Sequence, residues 1–243
     1  MVHGAFCGGW AFDAFRAPFE ASGMDVRALD LPGHGASPNR GVVGRASMAD
    51  YAKAVAGACA ECSDPPVLIG HSMGGLVCQL AATRTPVKGL ILLAPSAPWG
   101  VPGSTIEEAV SAASLMGMSP FWSIPVDPDF TLAAQYSLNR FPADERKSLY
   151  RRMGPESGRA LWETLNWWLD PFMTTNVSPA SIRSPVLAIA GGRDLIHPPV
   201  TVRQTAARLS GEAIVYDEMS HWLIGEPGWE QVAQSCMDWM ART

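Results

Sequence analysis

Apolar residues along the first hundred positions fall into two alternating kinds of run. Val67-Leu68-Ile69 and Gly89 to Leu93 (GLILL) are short and almost continuously apolar, the signature of strands buried on both faces of a parallel sheet. Asp25 to Leu31 (DVRALDL) is strand-like as well, and Pro32-Gly33-His34-Gly35 closes it with turn residues. Helical spacing fills the intervals. Ser47 to Cys62 carries Tyr51, Val55 and Cys59 four apart, opens on a capping-box-like Ser47-x-x-Asp50, and is stopped by Asp64-Pro65-Pro66. Gly74 to Thr85 reads as a helix rich in small residues. Strands alternating with helices predict an α/β fold, a mostly parallel sheet flanked by helices.

The alternation then breaks. Between Pro95 and about Arg183 the pattern contains no convincing strand; amphipathic segments at Thr105 to Met116, Asp144 to Met153 and Ser157 to Leu169 are separated by loops bearing Pro and Gly. A helical insertion is expected there. The sheet pattern resumes with Pro185 to Ala190 (PVLAIA), a helix from about Val200 to Leu209, a strand near Ala213 to Tyr216, and a last helix from Trp229 to Met240.

Composition narrows what this fold can serve. With 243 residues, 47% hydrophobic and 17% charged, the chain can bury a sizeable core as one domain with a subdomain. The net charge of −5, with no Lys/Arg block, argues against a phosphate-tracking surface and so against nucleic acid as a partner. No apolar run approaches the roughly 18 residues that span a bilayer, and the start lacks the charged-then-apolar order of a signal peptide, so a soluble, cytoplasmic protein is expected. Among the five cysteines only Cys59 and Cys62 have a suggestive spacing. They lack a second ligand pair for zinc and sit at the end of a helix, where the dipole disfavours a thiolate; free, mostly buried thiols and no metal are expected.

One motif carries chemistry. Gly70-His71-Ser72-Met73-Gly74 follows a strand and opens a helix, the context that gives Gly-x-Ser-x-Gly its meaning. A sharp strand-to-helix turn leaves no room for side chains two residues either side of the serine. It also places the Ser72 hydroxyl at a helix N-terminus, where free N–H groups favour developing negative charge. A serine hydroxyl needs a base, and the base an orienter. Of the five histidines, His3 and His34 lie in tight turns, His71 adjoins the serine too closely in sequence, and His197 precedes Pro198-Pro199. His221, in the loop between the last strand and last helix, is the candidate base. Asp194, after the strand ending at Ala190, is the candidate orienter, with Asp170 and Asp217 as alternatives. The order Ser, Asp, His differs from both serine-protease orders. An oxyanion hole would take the N–H of Met73 and, from the loop His3-Gly4-Ala5-Phe6, that of Ala5.

The elbow, Gly191-Gly192-Arg193-Asp194, Ser220-His221 and the opening His3-Gly4-Ala5-Phe6-Cys7-Gly8-Gly9-Trp10 together resemble the α/β-hydrolase superfamily in its serine esterase branch. The opening is similar to the methylesterase and hydroxynitrile lyase group, and Leu31-Pro32-Gly33-His34-Gly35 to bacterial carboxylesterases and C–C bond hydrolases. The resemblance implies a core of residues 1–98 and 183–243, a helical cap over residues 99–182, a triad of Ser72, Asp194 and His221, and oxyanion donors at Ala5 and Met73. It also implies a sheet with two strands before the one that ends in His-Gly. Only Met1 and Val2 precede His3, so a start truncated relative to the family, without the first two strands and most of the third, is expected.

A Trp- and Met-rich insertion favours an apolar substrate. Phe6, Met116, Met118, Phe121, Trp122, Trp162, Trp168 and Trp222 are the candidate pocket residues, although an aromatic stripe at helical spacing is most often simple core. The expected activity is hydrolysis of a small-molecule carboxylic ester with an apolar portion, through an acyl-enzyme and without a cofactor. C–C bond hydrolysis or acyl transfer by the same triad, and a non-enzymatic receptor that encloses a small ligand, are the alternatives.

Overall fold

The computed structural model describes residues 1–103, 105–116 and 124–243, with the backbone alone at Leu115 and Met116. The strands, in chain order, are β1 (Val67–His71), β2 (Gly89–Leu93), β3 (Pro125–Val126), β4 (Glu156–Ser157), β5 (Val186–Gly191) and β6 (Glu212–Tyr216). β1, β2, β5 and β6 lie side by side in that order, all parallel. Val2 extends the array, bridged to Gly70 of β1 on one side and to Leu29 on the other, again in parallel.

Alternation along each strand divides the core between two faces. Leu90 and Leu92 of β2 pack with Met48, Tyr51 and Val55 of the helix Met48–Ala60, with Leu76 and Leu80 of the helix Met73–Ala82, and with Val202 of the helix Pro199–Arg208. Ile91 and Leu93 face the other way, onto Phe12, Phe15, Phe19 and the helix Trp229–Ala241, which contributes Val232, Cys236 and Trp239. Each such side chain taken out of water stabilises the fold by about 1.5–3 kcal/mol. Ser47 caps the helix Met48–Ala60 through the full reciprocal capping box with Asp50. The helix Met73–Ala82 is buried on every side, so its small residues allow close approach of the sheet and its neighbours.

Two expectations are corrected. Asp25 to Leu31 is not a strand: its one ladder position is Leu29, bridged to Val2, with Met1 bonding the Arg27 carbonyl and the Leu29 N–H beside it. The 99–182 stretch, read as free of strands, contains the antiparallel pair β3–β4, two residues long on each side. The rest of that stretch holds the helices Ile106–Met116, Ala143–Arg152 and Gly158–Leu165. It is fastened by polar bonds to residues near the start of the chain. Ser157 donates to the Ala46 carbonyl at 2.6 Å, Met48 N–H to Glu163 at 2.8 Å, and Arg40 and Arg152 pair with Asp127 and Asp13. All five cysteines are unbridged, four of them buried.

Candidate active site

The carboxyl ends of β1, β5 and β6 bring three side chains together, where open α/β sheets place their ligand sites. Ser72 follows β1 with φ 54° and ψ −125°, a left-handed conformation that costs a non-glycine residue about 1–3 kcal/mol. The surrounding contacts impose it. Ser72 N–H donates to the Leu93 carbonyl at 2.9 Å, while the Ser72 carbonyl accepts from Gly75 and Ser96, both at 2.9 Å. A Cβ on Gly70 would lie 2.4 Å from the Gly74 carbonyl oxygen, and one on Gly74 2.3 Å from the carbonyl oxygens of both Val2 and His3. The two glycines of the motif are thus required by close backbone approach.

His221 Nε2 stands 3.0 Å from Ser72 Oγ, and His221 Nδ1 2.9 Å from Asp194 Oδ2. The other Asp194 oxygen accepts N–H groups from Ile196 at 2.7 Å and His197 at 3.0 Å. Burial alone would raise this carboxyl, but His221, its hydrogen bond and the His197 N–H outweigh burial and hold it below the usual carboxylate range. Asp170 serves a turn instead, accepting from Phe172 and Thr174, and Asp217 lies behind Gly192 at the end of β6. The structure therefore brings together Ser72, Asp194 and His221 and leaves both alternative carboxylates apart.

Two further histidines flank the site. His71 Nε2 bonds the His221 carbonyl at 2.8 Å, and His197 Nε2 meets Ser96 Oγ at 3.0 Å. Burial, reinforced by nearby His221, pushes both down to about 3, so they are neutral and fix their neighbours by hydrogen bonding. Met73 is the first residue of its helix and has no acceptor within it for its N–H; Ala5 lines the same cavity. Beside that loop, burial pushes the Cys7 thiol up, which removes it as a nucleophile.

The cavity above Ser72 is lined below by Gly4, Ala5, Phe6, Met73, His221 and Trp222. From residues 99–182 it receives Leu132, Ala133, Tyr136, Met153, Leu161 and Leu165. Of the aromatic residues expected in a pocket, Phe6 and Trp222 are there. Trp162 and Trp168 are not: Leu161, Thr164 and Leu165 present the inner face of the helix Gly158–Leu165, which turns Trp162 about 100° away. Trp168, 57% exposed on the following 3₁₀ turn, edges an adjoining groove. Met118, Phe121, Trp122 and the Met116 side chain lie outside the described residues.

Sequence reasoning missed the short helical segment within Pro128 to Ser137, whose Asp129, Leu132, Ala133 and Tyr136 reach the cavity at helical spacing, and the Ser96–His197 pair. It also missed Glu156, whose carboxylate is fully buried beside the Ala5–Phe6 loop. Among the described residues no group of three His, Cys, Asp or Glu could hold a metal ion, and no helix is long and apolar enough to cross a membrane.

A parallel sheet with an elbow serine, a buried Asp–His pair and an inserted stretch over the cavity defines the α/β-hydrolase class. Residues 1–234 match the alpha/beta hydrolase family, and the chain belongs to it. It is similar to a pyrethroid hydrolase of Sphingobium wenxiniae, 37% identical over 115 residues, 45% of this chain and 39% of that protein. Methylesterase 3 of Arabidopsis thaliana is 32% identical over 90 residues, 36% of this chain and 34% of that protein. The chain thus spans well under half the length of these two relatives. A pimeloyl-(acyl-carrier protein) methyl ester esterase of Neisseria meningitidis matches more extensively, 28% identical over 223 residues, 90% of this chain and 83% of that one. Among solved structures, an Arabidopsis methylesterase superposes with a TM-score of 0.76 at 17% identity, over 100% of this chain and 98% of that one, a likeness of fold.

Proposed function

We propose that this chain is a serine hydrolase cleaving a carboxylic ester that has an apolar portion. The observation that carries the reading is the continuous relay from Ser72 Oγ through His221 to Asp194, at 3.0 and 2.9 Å, on a strained strand-to-helix elbow. Ser72 Oγ attacks the ester carbonyl as His221 Nε2 takes its proton; ionised Asp194 holds the imidazole through Nδ1 and stabilises its charged form. The N–H groups of Met73 and Ala5 receive the oxyanion of the tetrahedral intermediate. Collapse of that intermediate expels the alcohol with the proton from His221, leaving an acyl group on Ser72. Water, deprotonated by His221, then releases the acid and restores the serine.

Residues 99–182 act as a cap: they supply Leu132, Met153, Leu161 and Leu165 to the roof and none of the reacting groups. Of the polar residues there, Asp129 accepts the Leu132 N–H through Oδ1 and Thr164 donates to the Ala160 carbonyl, while Leu132, Ala133, Met153, Leu161 and Leu165 make most of the roof apolar. Relatives named as methyl ester esterase and methylesterase support ester chemistry.

Covalent labelling tests the reading. A fluorophosphonate is expected to add one adduct to the wild type and none to Ser72→Ala, with the adducted peptide containing Ser72. Folded wild-type protein that takes no adduct overturns it.

A further inference from the structure

The Ala5–Phe6 loop is held in place by a side chain from the inserted stretch. Phe6 has φ 63°, a left-handed backbone at a bulky residue, so something outside the loop must stabilise it. Both of its backbone polar groups are bound by one short segment. Phe6 N–H donates to Glu156 Oε2 at 3.2 Å, and the Phe6 carbonyl accepts from Gly154 N–H at 2.9 Å. The loop is also pressed onto the nucleophile: a Cβ on Gly4 would lie 2.9 Å from the Ser72 Cβ. The direction of the Ala5 N–H, one peptide before Phe6, is therefore coupled to where Glu156 sits.

Glu156 is itself rigidly placed. Its carboxylate is fully buried and accepts from Tyr51 Oη at 2.7 Å and Ser157 N–H at 2.7 Å through Oε1, and meets His34 Nε2 at 3.1 Å through Oε2. Burial would raise this carboxyl, but His34 and the donors around it outweigh burial and keep it ionised; reciprocally, Glu156 raises His34 against the effect of burial. A charge-assisted acceptor is a stronger anchor for a strained N–H than a neutral one.

We infer that Glu156 is a positioning residue: through Phe6 N–H it fixes the loop so that the Ala5 N–H points at the oxyanion. The inference rests on the reading of Ser72 as the nucleophile. It concerns a group that strengthens its effect as the carbonyl oxygen becomes charged, so its loss should lower turnover and leave ground-state binding nearly intact.

Glu156→Gln is the informative change. Its amide oxygen can keep the Tyr51 and Ser157 donors, which turns the NH₂ toward Phe6 N–H, donor against donor. With p-nitrophenyl butyrate, kcat is expected to fall at least about 10-fold with KM within about 3-fold, since a misplacement near 1 Å can cost about 100-fold. A reversible trifluoromethyl ketone should lose affinity in parallel with kcat/KM. Hydrogen exchange at the Phe6 amide should accelerate. Tyr51→Phe removes a donor from the other carboxylate oxygen but leaves the Phe6 acceptor with the Ser157 and His34 contacts; it should lower the melting temperature and cost kcat less than Glu156→Gln does. Should Glu156→Gln fail to fold, Glu156→Asp, which withdraws the carboxylate by one methylene, is read by the same criteria.

Unchanged kcat in Glu156→Gln, or an equal loss in Tyr51→Phe, overturns the inference. If the wild type neither turns over the ester nor takes the fluorophosphonate, the nucleophile reading has failed. The oxyanion part of the inference then falls with it; exchange at Phe6 tests what is left, that Glu156 holds the loop, and equal rates in wild type and Glu156→Gln overturn that too.

Discussion

At Gly74 a single hydrogen is all that fits between the start of a helix and the backbone of Val2 and His3. Gly74→Ala places a methyl group against two carbonyl oxygens, of which that of Val2 accepts the His71 N–H of β1 and cannot retreat cheaply. A loss of at least about 3 kcal/mol is expected, the upper range for overpacking, which in a chain of this size lowers the melting temperature by about 6–12 °C. A thermal melt within about 2 °C of wild type contradicts this. The requirement was legible in the sequence because it is local: both glycines lie within two residues of the serine they serve. Glu156 was not legible for the opposite reason. Its partners Phe6, His34 and Tyr51 are 150, 122 and 105 residues away, so no window of sequence contains the evidence that this carboxylate is buried. His221 and Asp194 fall between these cases. Chain order and their positions after strands pointed to them, while which of Asp194, Asp170 and Asp217 meets His221 is seen only in the 2.9 Å contact.

Among the elements, the loop from β6 to the last helix has its own support. Ser220 N–H donates to Glu226, a carboxyl buried in the same loop, and this fixes the residue preceding His221. Burial raises Glu226 from 4.5 to about 6, against the opposing effects of the Ser220 N–H and His221. The folded protein therefore holds this proton more tightly than the unfolded chain. The stability due to it is complete below about pH 4.5 and is lost as the pH rises through about 6. Glu226→Gln removes that loss, so its melting temperature relative to wild type should climb across the same interval. A difference that stays constant from below pH 4.5 to above pH 6 contradicts the assignment. Elements with a strong local signature were read correctly in type. GLILL gave a strand at its observed bounds, and the capped segment after Ser47 gave its helix. The strand expected at Asp25 to Leu31 failed because strand pairing depends on a neighbour, here Met1 and Val2, that the segment's own residues do not specify. For the same reason β3 and β4, two residues each and paired across a long separation in sequence, left no pattern to read.

Across the whole molecule, Ser72, Asp194 and His221 follow strands of the sheet and the apolar roof comes from residues 99–182. That wall makes charge on the substrate costly, since a carboxylate buried there would lose its water without gaining a partner. A p-nitrophenyl ester of a dicarboxylic half-acid is expected to show kcat/KM at least about 100-fold below that of the uncharged ester of equal length; comparable values would contradict the apolar wall. The division between sheet and insertion was legible from the break in hydrophobic period after Pro95, whereas the identity of the lining residues was not. Trp162 and Trp168 differ from Leu161 and Leu165 only in which way one helix and its following turn are rotated. The bond between Glu156 and Phe6 crosses this division. It makes the insertion less portable than its continuous sequence suggests. A chimera that replaces residues 99–182 with the corresponding stretch of a relative, in order to change what the cavity admits, also discards the acceptor for a backbone N–H in the first six residues. Grafting between such relatives therefore has to carry a carboxylate equivalent to Glu156, or redesign the opening loop to stand without one.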